Sequence, residues 1–296
     1  MGDLLGHRRP SPGAALRALL AGPEPLLAPG AYDGLSARLV EQAGFDAVYM
    51  TGFGTTASLI GRPDVGLLTG SEMVDNARRI VSAVDVPVIA DADTGYGNAI
   101  NVLRTVQLFE QAGVAGLQLE DQVAPKKCGH MSGKAVISTA EMVGKLEAAV
   151  AARRDPDLVV IARTDAVAVS GIEDAVARGR AYAEAGADVL FVEAPTSEED
   201  IARVAGELAG VAPLVFNWAE GGRTPPLPLS RIAELGFSLV IYPIGTLLAA
   251  TAGMRALLAT LKADGVPSLT GLPAFDEFTD LVGLPEVQQL EQRFRG

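Results

Sequence analysis

A short sequence motif recurs along the chain and limits the possible folds: a helical stretch, then Ala-Gly or Leu-Gly, then a short β-rich run. The motif occurs four times, at Gln42–Asp46, Gln111–Val114, Glu184–Asp188 and Glu234–Phe237. Glycine in this place is typical of the left-handed residue that ends a helix and leads into a strand. Four further apolar runs predict buried strands, at Pro25–Ala31, Pro87–Asp93, Leu158–Thr164 and Pro213–Trp218.

The stretches between these runs are long enough for helices, for example Asn101–Ala112, Thr139–Arg153 and Ile172–Ala185. Eight strands that alternate with helices predict an α/β protein, a closed parallel (β/α)₈ barrel of the TIM type. A doubly wound open sheet is the alternative, because alternation does not show closure.

No linker interrupts the series, so we expect one domain over residues 1–296, with a flexible lead-in at 1–12 and a C-terminal helical extension at 266–296. Two short amphipathic segments of that extension, Phe275–Val282 and Pro285–Phe294, either cap the outside of the barrel or pack on a neighbouring subunit.

The charge and the cysteine content narrow the class of partner. The net charge is −12 and no Lys/Arg run occurs, which argues against nucleic acid or an anionic membrane surface. An anionic small molecule stays possible, since a bound metal and a few Arg can invert the local field. The single Cys excludes an internal disulfide framework and fits the reducing cytosol. No stretch reaches the roughly 18 apolar residues of a membrane span. We therefore expect a cytoplasmic protein.

Polar residues follow six of the predicted strands, and the ends of barrel strands are where the chemistry of such folds lies. They are Thr51-Gly52-Phe53-Gly54, Asp91-Ala92-Asp93, Glu120-Asp121, Arg163-Thr164-Asp165, Glu193, and Asn217 with Glu220 beyond it. Strand alternation predicts Asp91 and Asp93 on one face, where two carboxylates repel unless one is protonated or a cation lies between them. With Glu120 on the next strand, these oxygen ligands predict Mg²⁺, or alternatively Mn²⁺. The competing interpretation is that one Asp caps the helix that begins near Asn98.

The segment Gly52–Ala57 formally matches the G-x-G-x-x-G/A dinucleotide fingerprint. Arg62-Pro63-Asp64 and Gly66 follow it and would break the helix that should receive a pyrophosphate. We expect backbone amides of this turn to bind a carboxylate instead.

The segment Lys126–Lys134 contains the only Cys, Cys128, together with His130 and three Lys. Its polar, cationic and Gly-flanked surroundings predict an exposed thiol with a lowered pKa. Such a thiol can act as a general acid, a general base or a nucleophile. Gly129 and Gly133 predict that the segment moves as a lid. The competing interpretation is a solvated basic loop with an incidental Cys.

Six phrases resemble the isocitrate lyase/phosphoenolpyruvate mutase superfamily and follow the order of that family. They are Pro29–Asp33, Asp91–Asn98, Glu120–Gln122, Lys126–His130, Ala162–Ala166 and Glu220–Pro225. The resemblance extends from about Pro25 to Lys262, and the tail resembles the family's C-terminal helices.

The resemblance implies a barrel whose eighth helix is exchanged between subunits, usually in a dimer of dimers. It implies Mg²⁺ held mainly by Asp91, with Asp64, Asp93 and Glu120 acting partly through water. The substrate carboxylate would be held by the Thr51-Gly52-Phe53 amides and by Arg163. Cys128 would exchange a proton with the departing carbanion. The remaining residues that the resemblance places in the site are His130, Lys127, Glu193 and Asn217 as its completion, and Tyr49, Asp64, Glu220 and Thr224 as further substrate contacts.

The branch of the family is decided by two loops. Lys-Lys-Cys-Gly-His at 126–130 resembles the lyases, although carboxyphosphonoenolpyruvate mutase also has a Cys-Gly-His loop. The Glu-Gly-Gly-x-Thr-Pro phrase at 220–225 departs from the Glu-Phe-Gly of methylisocitrate lyases and is nearer the enzymes that cleave substituted malates or oxaloacetate. Trp218 either reshapes the pocket or packs behind it.

These features predict a Mg²⁺-dependent carbon–carbon lyase that cleaves a 2-hydroxy- or 2-oxo-dicarboxylate by retro-aldol or retro-Claisen chemistry. The substrate would resemble methylisocitrate, dimethylmalate or oxaloacetate. Two alternatives are a mutase that forms a P–C bond and a barrel that binds an oxoacid without turnover.

Overall fold

Eight parallel strands close into a barrel in the computed structural model, which describes residues 11–267 and 270–295. The strands are β1 Leu26–Ala31, β2 Val48–Met50, β3 Val88–Asp91, β4 Gly116–Glu120, β5 Val159–Thr164, β6 Val189–Val192, β7 Leu214–Asn217 and β8 Leu239–Tyr242. Each strand pairs with the next, and β8 pairs with β1 from Leu26↔Leu239 to Pro29↔Tyr242. The predicted closed barrel is confirmed, and the open sheet is wrong.

Helices separate the strands and cover the barrel. They are α1 Pro12–Leu20, α2 Gly34–Gln42, α3 Gly52–Ile60, α4 Gly70–Ala83, α5 Ala99–Ala112, α6 Thr139–Ala152, α7 Ile172–Glu184, α8 Glu198–Leu208, α9 Leu229–Glu234, α10 Gly245–Asp264, α11 Phe275–Leu281 and α12 Leu284–Arg293. The recurring glycines end α2, α5, α7 and α9 with φ between +87° and +95°, the left-handed conformation that the sequence predicted.

The first helix closes the amino-terminal end of the barrel. Ser11 accepts a hydrogen bond from the Ala14 amide, and Pro12 begins α1. Leu16 is fully buried among the side chains that fill the barrel interior. The predicted lead-in of residues 1–12 is therefore wrong at its last two residues, and residues 1–10 lie outside the described part of the chain.

The strands carry apolar side chains at the bottom of the barrel and polar side chains at the top. Residues two apart on a strand face the same side. Inside the barrel, this step leads from Ile89 to Asp91 on β3 and from Phe191 to Glu193 at the end of β6. The same step, from Ile161, Gln118 and Val215, brings in Arg163, Glu120 and Asn217. The apolar layers fix the barrel, and the last layer supplies the chemistry.

The C-terminal helices leave the barrel with an exposed apolar surface. None of the residues of α10 is buried, and Leu248, Met254 and Leu258 are 46–61% exposed. The tail touches the barrel where Arg38 and Gln42 donate to the Leu281 carbonyl, at 3.4 and 3.5 Å. Within the described residues, no helix is long and apolar enough to span a membrane.

Candidate active site

A cavity of about 250 Å³ opens at the carboxyl ends of the strands. Eleven of the residues that the sequence predicted for the site line it: Tyr49, Thr51, Phe53, Asp64, Asp91, Cys128, His130, Arg163, Glu193, Asn217 and Glu220. Five others do not: Gly52, Asp93, Glu120, Lys127 and Thr224. An apolar wall of Ile241, Pro243 and Ile244 closes the β8 side.

Asp91 and Asp93 are arranged differently from the prediction. Asp93 has φ +48°, so the strand alternation has ended before it, and its amide donates to Asp91 Oδ1 at 3.1 Å. The cation beside Asp93 is a lysine that the sequence interpretation left out of the site. The buried Lys126 Nζ lies 2.7 Å from Asp64 Oδ2 and 2.8 Å from Asp93 Oδ1. These carboxylates raise the pKa of Lys126 well above its usual value although burial opposes them.

Two carboxylates at the top of β3 and β4 are buried, and burial shifts the pKa of each. Burial raises the pKa of Asp91 and, more strongly, that of Glu120, although Lys126 and Arg163 oppose the effect. Glu120 Oε1 is buried and has no hydrogen-bond donor in the described part of the chain. Within that same part, no three Asp, Glu, His or Cys side chains gather closely enough to form a ready-made metal-ligand group.

The turn after β2 is closely packed on Asp91. The Gly52 amide donates to Asp91 Oδ2 at 3.3 Å, and a Cβ at Gly52 would lie 2.6 Å from that oxygen. The Thr51 amide donates to the Ala31 carbonyl. Two of the three amides that were predicted to hold a carboxylate are thus engaged, which leaves Phe53 N–H in the first turn of α3. That helix ends at Ile60, before Arg62, and Asp64 then returns to the site.

Arg163 is held by three buried carboxylates. Its Nε donates to Asp165 Oδ2 at 3.0 Å and its Nη2 to Asp165 Oδ1 at 3.1 Å. Glu120 Oε2 lies 3.4 Å from Nη1, and Glu193 Oε2 lies 3.8 Å from Nε. Its guanidinium carbon lies 5.2 Å from the centroid of the Phe191 ring. The cation is therefore oriented from several sides at the edge of the cavity.

A buried network behind the cavity supports Asp165. Asp121 is fully buried and accepts the Asp165 amide at 2.9 Å. It also accepts the hydroxyls of Thr164 and Tyr182, each at 2.7 Å, and Nη1 of Arg178 at 3.2 Å. The adjacent residues Glu120 and Asp121 therefore have different partners. Glu120 lies beside Arg163, and Asp121 fixes the end of the neighbouring strand behind the cavity.

The loop of residues 122–137 folds over the cavity. Its ends are joined by hydrogen bonds from Val123 to Ala135 and from Ile137 to Asp121. The Cys128 amide donates to the Asp64 carbonyl at 3.1 Å, which connects the loop to the segment after α3. Cys128 is half-buried, and burial raises the pKa of its thiol. The predicted exposed, acidic thiol is wrong because the loop lies against the barrel, where desolvation outweighs the nearby Arg163.

His130 connects this loop to the one after β7. Its Nε2 lies 2.9 Å from Glu193 Oε1, and its Nδ1 accepts the Arg223 amide at 3.0 Å. The second contact assigns the ring proton to Nε2, which donates to Glu193. Arg163 and His130 lower the pKa of Glu193 to about 2 although burial opposes them. Asn217 Nδ2 donates to the same carboxylate at 3.2 Å.

Three predicted or queried residues lie away from the cavity. Lys127 is turned outward, and its Nζ donates to the Gly133 carbonyl at 2.8 Å. Thr224 is buried beside a second cavity of about 690 Å³, which Trp218 also lines. The Trp218 indole donates to the Leu227 carbonyl at 3.0 Å, so this ring packs behind the site and holds the loop after β7.

The sequence interpretation missed three residues of the site: Lys126, Asp165 and Lys134, whose buried ammonium lies 2.8 Å from Asp165 Oδ1. The signal for Asp165 was its period-2 position after Arg163. No sequence signal distinguishes Lys126 and Lys134, which are buried, from Lys127, which points outward. The path of the loop decides which of these side chains turns inward.

A family model described as phosphoenolpyruvate phosphomutase matches residues 16–262. Three curated relatives are similar over nearly the whole chain. The 2,3-dimethylmalate lyase of Eubacterium barkeri is 49% identical over 95% of this chain and 97% of its own. The chloroplastic carboxyvinyl-carboxyphosphonate phosphorylmutase of Arabidopsis thaliana is 45% identical over 91% and 80%. The 2-methylisocitrate lyase of Aeropyrum pernix is 44% identical over 94% and 89%.

Solved structures agree with this grouping. A 2,3-dimethylmalate lyase, titled a member of the PEP mutase/isocitrate lyase superfamily, superposes with a TM-score of 0.92 at 43% identity, over 98% of this chain and 97% of that one. An oxaloacetate acetylhydrolase in complex with 3,3-difluorooxalacetate gives 0.90 at 40% identity, over 95% and 96%. A phosphonopyruvate hydrolase in complex with oxalate and Mg²⁺ gives 0.87 at 35% identity, over 96% and 99%.

Proposed function

Because the chain belongs to the phosphoenolpyruvate phosphomutase family and its close relatives include named lyases, we infer that it is a carbon–carbon lyase of a small 2-hydroxy- or 2-oxo-dicarboxylate. One observation supports the proton transfer that such a cleavage needs. The loop carries a thiol, Cys128, into the same cavity as Arg163 and Asp91. A thiol whose pKa is raised keeps its proton at neutral pH and can give it to a carbanion.

The substrate would be oriented by its carboxylate. Arg163 is the buried guanidinium that lines the cavity, and the Phe53 amide lies in the first turn of α3, where a helix favours an anion. Tyr49 is buried below, and burial raises the pKa of its phenol well above the usual value, so it acts only as a neutral hydrogen-bonding group. Ile241, Pro243 and Ile244 offer an apolar wall to carbon substituents of the substrate.

A divalent cation, Mg²⁺ or alternatively Mn²⁺, fits the acidic residues. The donors are carboxylate oxygens, which hard cations prefer, and Glu120 Oε1 has no hydrogen-bond partner among the described residues. We propose Asp91 as the main ligand, with Asp64, Asp93 and Glu120 as further ligands or holders of bound water. When bound, such a cation stabilises negative charge on the substrate oxygens. A phosphonopyruvate hydrolase of similar structure was solved with oxalate and Mg²⁺, which supports a divalent cation in this site.

The residues of the loop would handle the proton. In cleavage of a 2-hydroxy acid, the hydroxyl gives up its proton and becomes a carbonyl, the electron pair of the broken C–C bond leaves with the departing fragment, and Cys128 gives the carbon of that fragment its proton; the proton released from the hydroxyl restores the thiol. Cleavage of a 2-oxo acid would in addition need a water molecule that adds to the keto carbon before the same bond breaks. His130 is fixed between Glu193 and the Arg223 amide, so it holds the Cys128 loop against the loop after β7. Glu193 stays ionised because its pKa is about 2, and it anchors both His130 and Asn217. Lys127 points outward in this arrangement. We therefore propose that Lys126, and not Lys127, is the lysine of the site.

The proposal is tested with Cys128→Ser and a screen of four acids. The protein with Mg²⁺ is incubated with 2,3-dimethylmalate, 2-methylisocitrate, oxaloacetate or phosphonopyruvate, and products are identified by NMR. We expect cleavage of a C–C bond, which Cys128→Ser reduces nearly completely while oxalate binding persists. Ser132→Ala, an exposed change in the same loop, should keep full turnover. Turnover of phosphonopyruvate alone would favour the mutase, and unchanged turnover of Cys128→Ser would remove the thiol from the mechanism.

We also propose a homo-oligomer, a dimer of dimers, of one-domain subunits in the cytoplasm. The apolar side chains of α10 have no cover within the described residues, and Phe275 at the start of α11 is 85% exposed. Exposed apolar side chains of this size mark an interaction surface in soluble proteins. Exchange of α10 between subunits, which the resemblance implies, would bury them.

A further inference from the structure

The loop over the cavity ends in a buried lysine that the proposed mechanism does not use. The Lys134 side chain is 1% exposed, and its Nζ lies 2.8 Å from Asp165 Oδ1. The same ammonium donates to the Gly129 carbonyl inside the loop. Burying an ammonium is costly unless it is paired and hydrogen-bonded, so these contacts indicate that the loop is specifically docked in this position.

The partner of Lys134 is the carboxylate that orients Arg163. Asp165 accepts Nε and Nη2 of Arg163 in a two-pronged ion pair, and its own exposure is zero. Its Oδ1 is shared, since it accepts both Nη2 of Arg163 and Nζ of Lys134. The loop ammonium and the substrate-facing guanidinium thus bind one carboxylate.

The balance of charge around Arg163 gives this sharing a consequence. Asp165, Glu193 and Glu120 all lie within 4 Å of its guanidinium. A substrate carboxylate that approaches Arg163 has to compete with these three. Lys134 places a second positive charge beside Asp165. This charge weakens the electrostatic attraction between the Asp165 carboxylate and the Arg163 guanidinium.

The loop backbone is in contact with the same group. A Cβ at Gly129 would lie 2.3 Å from Arg163 Nη2, so the loop passes directly over the guanidinium. The carbonyl of this residue is the one that Lys134 binds. The lysine therefore fixes both the carboxylate below Arg163 and the backbone above it.

We propose that Lys134 is a positioning residue that couples docking of the 122–137 loop to the readiness of Arg163 for the substrate carboxylate. The identity of the ligand rests on the proposed function, but the coupling does not. With the loop docked, Lys134 neutralises Asp165 and Arg163 faces the cavity. With the loop displaced, Lys134 no longer contacts Asp165, and this carboxylate binds the Arg163 guanidinium more strongly.

The test compares Lys134→Met, Lys134→Arg and Lys262→Met, the last of which removes an exposed ammonium on α10. Hydrogen exchange of the free protein is followed at the Cys128 and Met131 amides, whose acceptors are the Asp64 and Cys128 carbonyls. Oxalate affinity with Mg²⁺ is measured by calorimetry, and KM and kcat are measured on whichever acid is cleaved.

We expect Lys134→Met to speed exchange of the loop amides and to weaken oxalate and raise KM by about tenfold or more, the loss typical of one charged hydrogen bond. The melting temperature should change little, Lys134→Arg should recover part of the affinity, and Lys262→Met should match the wild type. Unchanged exchange and affinity in Lys134→Met would overturn the proposal, as would an equal loss in Lys134→Arg that follows a lower melting temperature. If no acid is cleaved, the proposed function fails, and exchange and oxalate binding still decide the role of Lys134.

Discussion

The contact between the loop and Arg163 predicts that one methyl group at residue 129 separates activity from stability. In Gly129→Ala the new Cβ would lie 2.3 Å from Arg163 Nη2 and 2.7 Å from two carbons of Glu193. Ordinary contact begins at 3.4 Å, so the loop or the guanidinium has to move by about 1.1 Å. Both neighbours are buried and bound by other groups, so a flexible side chain cannot simply turn away.

A displacement of about 1 Å at a positioned catalytic group costs on the order of 100-fold in rate. We expect kcat/KM of Gly129→Ala to fall by about that factor. The free energy of unfolding should change by less than about 1 kcal/mol, because the loop can lift away and leave the barrel layers intact. The residue does not have a positive φ, so the loss would come from the contact and not from backbone strain.

Gly144→Ala is the matched control. Gly144 lies inside α6, and a Cβ there meets no atom of the described residues within 4 Å. Replacing glycine by alanine inside a helix stabilises it by about 0.5–1 kcal/mol, so this variant should keep wild-type kinetics and unfold at a higher urea concentration. Steady-state kinetics and urea unfolding of both variants decide the matter. Wild-type kcat/KM in Gly129→Ala would refute the docked loop as the active arrangement.

Four further outcomes follow from the structure. Iodoacetamide should alkylate Cys128 more slowly than a free thiol at pH 7–8 and faster as the pH rises through the raised pKa, which mass spectrometry measures without interference because this is the only Cys. Tyr182→Phe removes a hydroxyl from the buried Asp121 and should lower the free energy of unfolding by about 1.5–3 kcal/mol in urea titrations. Leu258→Asp, at an apolar position that is 61% exposed, should reduce the particle mass in light scattering, and a monomeric wild type would contradict this. Mg²⁺ should raise the melting temperature, and by more at pH 8 than at pH 5.5. An equal rise at both pH values would contradict the proposed cation site of ionised carboxylates.

The barrel and its top layer could be predicted from the sequence because both depend on short-range rules. Glycines such as Gly113 end helices through their own backbone conformation, and the period-2 step on a strand places Arg163 above Ile161 and Glu193 above Phe191. These rules need no knowledge of distant contacts. The same rule failed at Asp93, where the strand has already ended and φ is positive.

The loop could not be predicted in the same way, because its chemistry depends on residues far away in sequence. The cationic neighbours of Cys128 in the sequence predicted a lowered thiol pKa. The loop instead docks at Asp64, and burial there raises the pKa. Lys126 and Lys127 are adjacent and chemically alike, yet one is buried between two carboxylates and the other faces outward. Only the path of the backbone distinguishes them.

The charges of the site explain why a cation and an anionic substrate would have to bind there together. Its six buried carboxylates are Asp64, Asp91, Asp93, Glu120, Asp165 and Glu193, and its three buried cations are Lys126, Lys134 and Arg163. The excess of acid would repel a dicarboxylate, and burial raises the pKa of Asp91 and Glu120, with a smaller contribution from neighbouring carboxylates. A raised carboxyl pKa stabilises the folded state below the pKa of the unfolded chain, and this stability is lost as the pH rises through the folded value. A divalent cation binds the ionised form, so it restores more stability at pH 8 than at pH 5.5, where protons compete for the same oxygens. By offsetting two negative charges, it would also leave Arg163 as an effective partner for the substrate carboxylate.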